Sequence, residues 1–296
     1  MKLTIHGYST ALFSTWYAIE ELGIIFDAGD GLVSGLMGKC GKFKNLFITH
    51  PDRDHLTGLL AFNQMYGYNK STIYYPKDCK SFPFLETFTA NFDPQSKGTH
   101  WIGIEAKELI ALKEKLVVEA IKNEHIYTPN GENKSLSYKV WETKKKLKQE
   151  FLNCSANELK ELRIEKGETA LFEEQKSLLL SYSGDTPVTD YQRYNGSKVL
   201  IHEVTFLTKE EQATKNDKNQ HSSLEEVMQM IAEIEVGEVI LGHFSSRYAN
   251  EQIIEAIKKW IVHYNIKVPI YLMPIGKMKK DILNGNQINT RSKVVF

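Results

Sequence analysis

Residues 49–58 read THPDRDHLTG, and the reading of this stretch decides the fold. Upstream, residues 45–49 (NLFIT) are a short β-type apolar run that stops at His50. Downstream, residues 56–65 have helical patterning. His50, Asp52, Asp54 and His55 therefore lie on a strand-to-helix loop. In layered α/β folds the carboxyl ends of strands open onto one edge, where ligands from distant positions converge. Imidazole and carboxylate donors at such an edge suit zinc or another first-row divalent ion.

Outward from this loop, residues 2–6, 12–19 and 23–27 alternate β-type runs with turn residues and read as a meander. The meander ends in DAGDG, with turns at Gly29 and Gly31, whose glycines permit φ > 0. Asp27 and Asp30 are expected to hydrogen-bond backbone or ligand-supporting groups rather than to ligate. Strands are expected at 71–75, 115–121, 136–141 and 177–182, with helix plus loop over 79–112 and a charged, helix-favouring segment from 143 to about 166. Beyond these, strand, helix, strand, helix and strand follow at 198–202, 224–234, 238–241, 250–262 and 268–272. A β-rich first half joined to a βαβ-rich second half predicts an α/β layered sandwich.

A chain of 296 residues with 42% apolar and 25% charged side chains has the balance of an ordinary globular protein. It is expected to form one domain over 1–296, with insertions around 78–112 and 141–175. The 37 basic and 37 acidic side chains cancel, so no global field recruits a polyanion. The only dense basic cluster is KKKLK at 144–148, read as a solvated helix face. Cys40, Cys79 and Cys154 are widely spread, which excludes a zinc knuckle and a disulfide framework. No secretory h-region and no stretch near the roughly 20 apolar residues of a membrane span is seen, so a cytoplasmic protein without membrane partners is expected.

Six of the nine histidines fall at expected strand ends or beside acidic residues: His50, His55, His125 in NEHIY, His202 in IHEVTF, His221 in QHSSLEE and His243 in LGHFSSRY. Asp185 in SGDTP joins them. If His50, Asp54, His55, Asp185 and His243 were only satisfied buried polar groups, each would need protein partners in the absence of a metal. His6, His100 and His263 read as hydrogen-bonded structural residues. His202 does too, because its strand neighbour Glu203 points to the opposite face. Ser222 or Ser223 is expected to cap the helix that follows, with Glu225 or Glu226 complementing its dipole. Ser183 and Thr186 read as loop-ordering hydroxyls.

The order DAGDG, HxDRDH, an isolated His, SGDT, HEVTF, HSS and HFSSRY resembles the metallo-β-lactamase superfamily, and within it the ribonuclease Z branch. The resemblance implies a four-layer αββα sandwich and two Zn²⁺ ions. It assigns His50, Asp52 and His125 to the first metal, Asp54, His55 and His243 to the second, and Asp185 to a bridge between them. The family motif HxHxDH has histidine where this chain has Asp52. A carboxylate is a harder ligand and shifts that site toward Mn²⁺ or Fe²⁺; Asp52 stands open between a ligand and a loop residue. The resemblance further implies a homodimeric phosphodiester hydrolase acting on RNA, at the 3′ end of precursor tRNA. In it Asp54 orients the attacking water, and His221, backed by Glu203, protonates the leaving oxygen. Arg247 either binds phosphate or braces the loop carrying His243. Bacterial relatives usually grip tRNA with a protruding arm containing Gly-Pro; no such dipeptide occurs here, and the charged segment 141–174 suggests that this grip is missing. Two other readings remain: a phosphodiesterase on small substrates such as cyclic nucleotides, and a non-catalytic metal- or nucleotide-binding relative. Retention of His221 and Glu203 argues against the latter.

Overall fold

The computed structural model describes residues 2–93, 98–113, 115–213 and 220–289. The first sheet holds, in spatial order, β1 (Ile5–Thr10), β2 (Ser14–Ile19), β3 (Ile24–Phe26), β4 (Asn45–Phe47), β5 (Thr72–Pro76) and β6 (His100–Ile104). The second holds β7 (Leu109–Lys113), β8 (Leu116–Lys122), β9 (Leu136–Leu147), β10 (Phe172–Tyr182), β11 (Ser197–Glu203), β12 (Val236–Gly242) and β13 (Ile270–Leu272). Each sheet begins as an antiparallel meander and continues as a parallel run, the parallel part being β3 to β6 in one and β10 to β13 in the other. The expected contrast between a β-rich and a βαβ-rich half is therefore corrected: both halves share one plan.

Helices α1 (Leu32–Leu36), α2 (Arg53–Leu56), α3 (Leu59–Tyr66) and α4 (Ser81–Phe92) belong to the first half. Helices α5 (Ala156–Lys166), α6 (Glu168–Leu171), α7 (Lys209–Ala213), α8 (Leu224–Glu233) and α9 (Asn250–His263) belong to the second. Strand alternation creates the layers. In β3, Ile24 and Phe26 face the second sheet while Ile25 faces the α1, α3 and α4 layer. In β12, Ile240 joins the core between the sheets, and Val239 and Leu241 pack under α8 and α9. Strands buried on both faces read as continuous apolar runs, as VILG in β12 does. The result is the expected four-layer αββα sandwich. Helix α8 is stopped at its start by Ser223, whose hydroxyl caps Glu226 N–H while Glu226 returns the bond to Ser223 N–H.

Two segments differ from expectation. Residues 79–112 contain α4 but also β6 and most of β7; these are edge or near-edge strands with exposed faces, so their polarity is mixed and masks the β pattern. Residues 143–147 continue β9 instead of starting a helix, and of the rest of that segment only α5 is α-helical, after a 3-10 turn at Gln149–Phe151. Among the described residues, 143–147 pair in a strand only with 172–176, making a two-stranded ribbon that leaves the sheet, with α5 beyond it. The basic run thus sits on a strand: Lys145 and Lys146 lie opposite Glu174 and Glu173, an opposite-charge register that favours the pairing. Among the described residues, no helix is long and apolar enough to cross a membrane.

Candidate metal centre

The carboxyl ends of the parallel strands meet at one edge of the sandwich. There β3 delivers Asp27, β4 leads to Thr49 and His50, β10 to Ser183 and Asp185, β11 ends at Glu203, and β12 runs into His243. The loop after β8 adds His125. Asp27 and His243, each just past a strand, adopt φ of 54° and 62°, a left-handed conformation that costs a non-glycine residue energy and aims its side chain back at the site. Gly31 has a positive φ as expected, whereas Gly29 is needed for space: a Cβ there would lie 2.3 Å from the Asp54 carbonyl oxygen.

Four histidines are fixed through the same ring atom. His55 Nδ1 donates to Asp27 Oδ2 at 2.8 Å. Thr49 Oγ1 donates to Asp27 and therefore accepts from His50 Nδ1 at 2.9 Å. His125 Nδ1 donates to the Gln220 carbonyl at 2.8 Å, and His243 Nδ1 donates to Thr205 Oγ1 at 3.0 Å. Each imidazole thus turns Nε2 to the cavity, the atom a metal would take; the Nε2 atoms of His55 and His243 lie 3.3 Å from each other.

The four Nε2 atoms face carboxylates at 3.3–3.6 Å. His50 Nε2 is 3.6 Å from Asp52 Oδ2 and 3.6 Å from Asp185 Oδ2, and His125 Nε2 is 3.6 Å from Asp52 Oδ2. On the other side, Asp185 Oδ2 is 3.3 Å from both His55 Nε2 and His243 Nε2, and Asp54 Oδ2 is 3.6 and 3.4 Å from the same two atoms. Ligands about 2.0–2.2 Å from a tetrahedral ion stand roughly 3.4 Å apart, so this spacing fits donors arranged around shared ions. His50 Nε2 and His125 Nε2 are buried without a hydrogen-bond partner, a costly state that a metal would relieve. Asp52 occupies the N-cap position of α2 yet makes no capping bond with its side chain, which lies instead beside His50 and His125. That side chain is 39% exposed, against 10% for Asp54.

The electrostatics agree. Burial opposes charge on His55, but Asp185, Asp27 and Asp54 outweigh it and raise its pKa well above the ordinary value. His243 is raised in the same sense, again against burial, by Asp185 and Asp54. Burial likewise works against an ionised Asp54, yet His55 and His243 bring it down to about 2. Asp185 is held well below the carboxylate range, its burial overcome by His243, His55 and His50. These carboxylates together call for positive charge in the cavity. His50, by contrast, is kept neutral by burial and by its histidine neighbours.

No family model matches the chain. Over 269 residues it is 28% identical to tRNase Z TRZ1 of Arabidopsis thaliana, covering 86% of this chain and 89% of the relative. It is also 28% identical to ribonuclease Z of Methanocaldococcus jannaschii, covering 82% and 83% of the two chains. The short form of human tRNase Z superposes with a TM-score of 0.58 at 19% identity, over 82% of this chain and 93% of that one. The chain is a metallo-β-lactamase-fold protein related to ribonuclease Z.

As a metal-dependent hydrolase of this fold, it brings together every residue singled out for the centre: His50, Asp52, Asp54, His55, His125, Asp185 and His243, with His221 and Glu203 beside them. The donor set fits divalent metal. His221 Nδ1 lies 3.2 Å from Glu203 Oε1, and its ring stacks on His243 at 5.7 Å. Glu203 does more than back His221. Its oxygens also accept from the Thr186, Ser222 and Thr205 amides and from the Thr205 hydroxyl, tying the SGDTP, HEVTF and HSS loops together. Burial disfavours its charge, but His221 keeps its pKa below the usual carboxylate value. His202 stays out of the cluster: its Nδ1 donates to the Glu203 carbonyl, and burial lowers its pKa to about 4. His6 bonds Glu20, while His100 and His263 are exposed. Arg247 braces its own loop, donating to Ser245 Oγ and lying over the Phe206 and Tyr248 rings.

Sequence reasoning missed Thr49, Thr205 and Leu12. Thr205 is visible in HEVTF and Thr49 directly precedes His50. Leu12, whose backbone N–H donates to Asp54 Oδ2 at 3.0 Å, carries no local signal.

Proposed function

We propose that this chain is a phosphodiester hydrolase of ribonuclease Z type, an endoribonuclease acting at the 3′ end of precursor tRNA. The observation that carries the reading is the set of four histidines fixed through Nδ1 with their Nε2 atoms facing Asp52, Asp54 and Asp185. His50, Asp52, His125 and Asp185 would hold one ion, and Asp54, His55, His243 and Asp185 the other. Two Zn²⁺ ions suit this set, with Mn²⁺ or Fe²⁺ favoured at the Asp52 site. When bound, the ions make water a nucleophile near neutral pH and neutralise charge on the phosphoryl oxygens.

The remaining tasks fall to protein groups. Asp54 is held by Leu12 N–H, which fixes its carboxylate to orient the attacking water. His221 protonates the leaving oxygen. With its Nδ1 engaged by Glu203 and Thr205, its Nε2 is the nitrogen available to substrate. Glu203 stabilises the imidazolium form and holds the ring, and its own position is fixed by the amides it accepts.

The relatives' substrate supports RNA as the partner. The ribbon of β9 and β10 with α5 supplies a protruding element in the place of a Gly-Pro arm, but its lysines are largely matched by acidic residues. That matching favours, as a second reading, a small phosphodiester substrate that needs no grip. Exposed Met37, Leu60, Met65, Phe84 and Phe88 on the α1, α3 and α4 side, with a cavity of about 730 Å³ between α1 and α3, support a homodimer through this layer. Three free thiols fit cytoplasmic residence.

Protein reconstituted separately with zinc and manganese would be assayed side by side on precursor tRNA and on bis(p-nitrophenyl) phosphate. Cleavage at the tRNA 3′ end is expected, and activity on the aryl diester alone would select the second reading. Absence of metal by elemental analysis after reconstitution would refute both.

A further inference from the structure

The β1–β2 turn presents two adjacent large apolar side chains to solvent, Leu12 81% and Phe13 60% exposed. The turn is held rigidly at the metal centre. Ala11 N–H bonds the Phe244 carbonyl, Ala11 bridges to Ser245, and Phe13 N–H closes the turn on Thr10. Leu12 takes φ of 70°, unfavourable for leucine, in the geometry that points its N–H at Asp54. Exposing this apolar pair in a strained, anchored turn has no packing benefit within the chain.

Behind Phe13 lies a cleft of about 400 Å³, lined by Tyr8, Met278 and the edge of the buried Trp16, with Ser14, Ser34 and Asp30 supplying polar groups. The Asp30 segment is tied to the turn, since Ser14 Oγ donates to the Asp30 carbonyl at 2.7 Å. The exposed Phe13 ring and the partly exposed Tyr8, beside hydroxyls and a carboxylate, match a nucleobase, which offers a π-face for stacking and exocyclic amines for hydrogen bonds.

We propose that Phe13 and the cleft behind it form a stacking subsite for a nucleobase next to the scissile phosphate. The subsite rests on the phosphodiesterase reading and narrows it to substrates carrying a base at that position. Phe13 is a specificity-determining residue, separate from the groups that hold metal or move protons.

The test uses oligoribonucleotides ending in a short 3′ extension, with 2-aminopurine placed on either side of the cleaved linkage. They are titrated onto the metal-reconstituted protein in a His221→Ala background, which slows turnover. Stacking quenches 2-aminopurine at one of the two positions. Adding Phe13→Ala should remove the quench and raise Kd about 5- to 100-fold, the range of one base–aromatic stack. Adding Phe13→Trp should retain both. No quench at either position, or equal quench and Kd with Ala and Trp at 13, overturns the subsite, as does a Phe13→Ala effect confined to oligomeric state. Hydrolysis of methyl p-nitrophenyl phosphate by the wild type, a substrate without a base, separates the two ideas: turnover there without quenching rejects the subsite alone, and no turnover on any diester rejects the phosphodiesterase reading.

Discussion

His55 Nδ1 and Asp27 Oδ2, 28 residues apart and both fully buried, are joined at 2.8 Å. Asp27 also accepts from the Thr49 amide and hydroxyl and from Tyr182 O–H, so one carboxylate orients His55 directly and His50 through Thr49. Groups that orient a ligand histidine typically contribute 10–100-fold to metal affinity. Asp27→Asn is therefore expected to weaken metal binding by about that factor while retaining the fold, as read by competition against a chelator dye and by circular dichroism. Unchanged affinity would show that the ligands hold themselves.

At Asp52, replacing imidazole with carboxylate adds negative charge and hardens the donor set. Asp52→His should raise zinc occupancy and reduce the advantage of manganese. Asp52→Ala should empty the first position and leave the second largely filled. Metal-to-protein ratios for wild type and both variants provide the check, and three equal ratios would remove Asp52 from the ligand set.

Loss of the proton donor should be separable from loss of metal. His221→Ala is expected to lower kcat by about 10²–10⁴-fold on a poor leaving group, with metal content intact. A p-nitrophenolate departs with little help, so much of this loss should disappear on the aryl diester. Equal losses on both substrates would argue that His221 instead supports the metal centre, within whose ligand reach it stands beside Asp185 and His243.

The cysteines should divide by burial. Cys40 and Cys79 are buried, which pushes both thiols up to about 12, whereas Cys154 is partly exposed. Native protein should therefore react quickly with Ellman's reagent at one thiol, and at three only after unfolding. Three rapid equivalents from native protein would contradict the packing around Cys40 and Cys79.

Much of this architecture was legible in the sequence. Apolar runs such as 45–49 and 238–241 marked strands buried on both faces, serines at 222–223 ahead of acidic residues at 225–226 marked a helix start, and the order of His and Asp motifs marked the candidate donors. Each is a property of a short window, set by side-chain period or by local capping bonds. Other features required the tertiary structure because they depend on partners distant in sequence. His125 is oriented by the Gln220 carbonyl, 95 residues away, and Thr205 orients His243 across 38 residues. The run at 144–148 reads as helix because Lys and Leu favour helices, yet pairing with β10, a partner about 30 residues on, holds most of it in a ribbon. Leu12 looks like an ordinary apolar strand residue. Only the turn that the fold imposes there gives its amide to Asp54 and leaves Phe13 facing solvent.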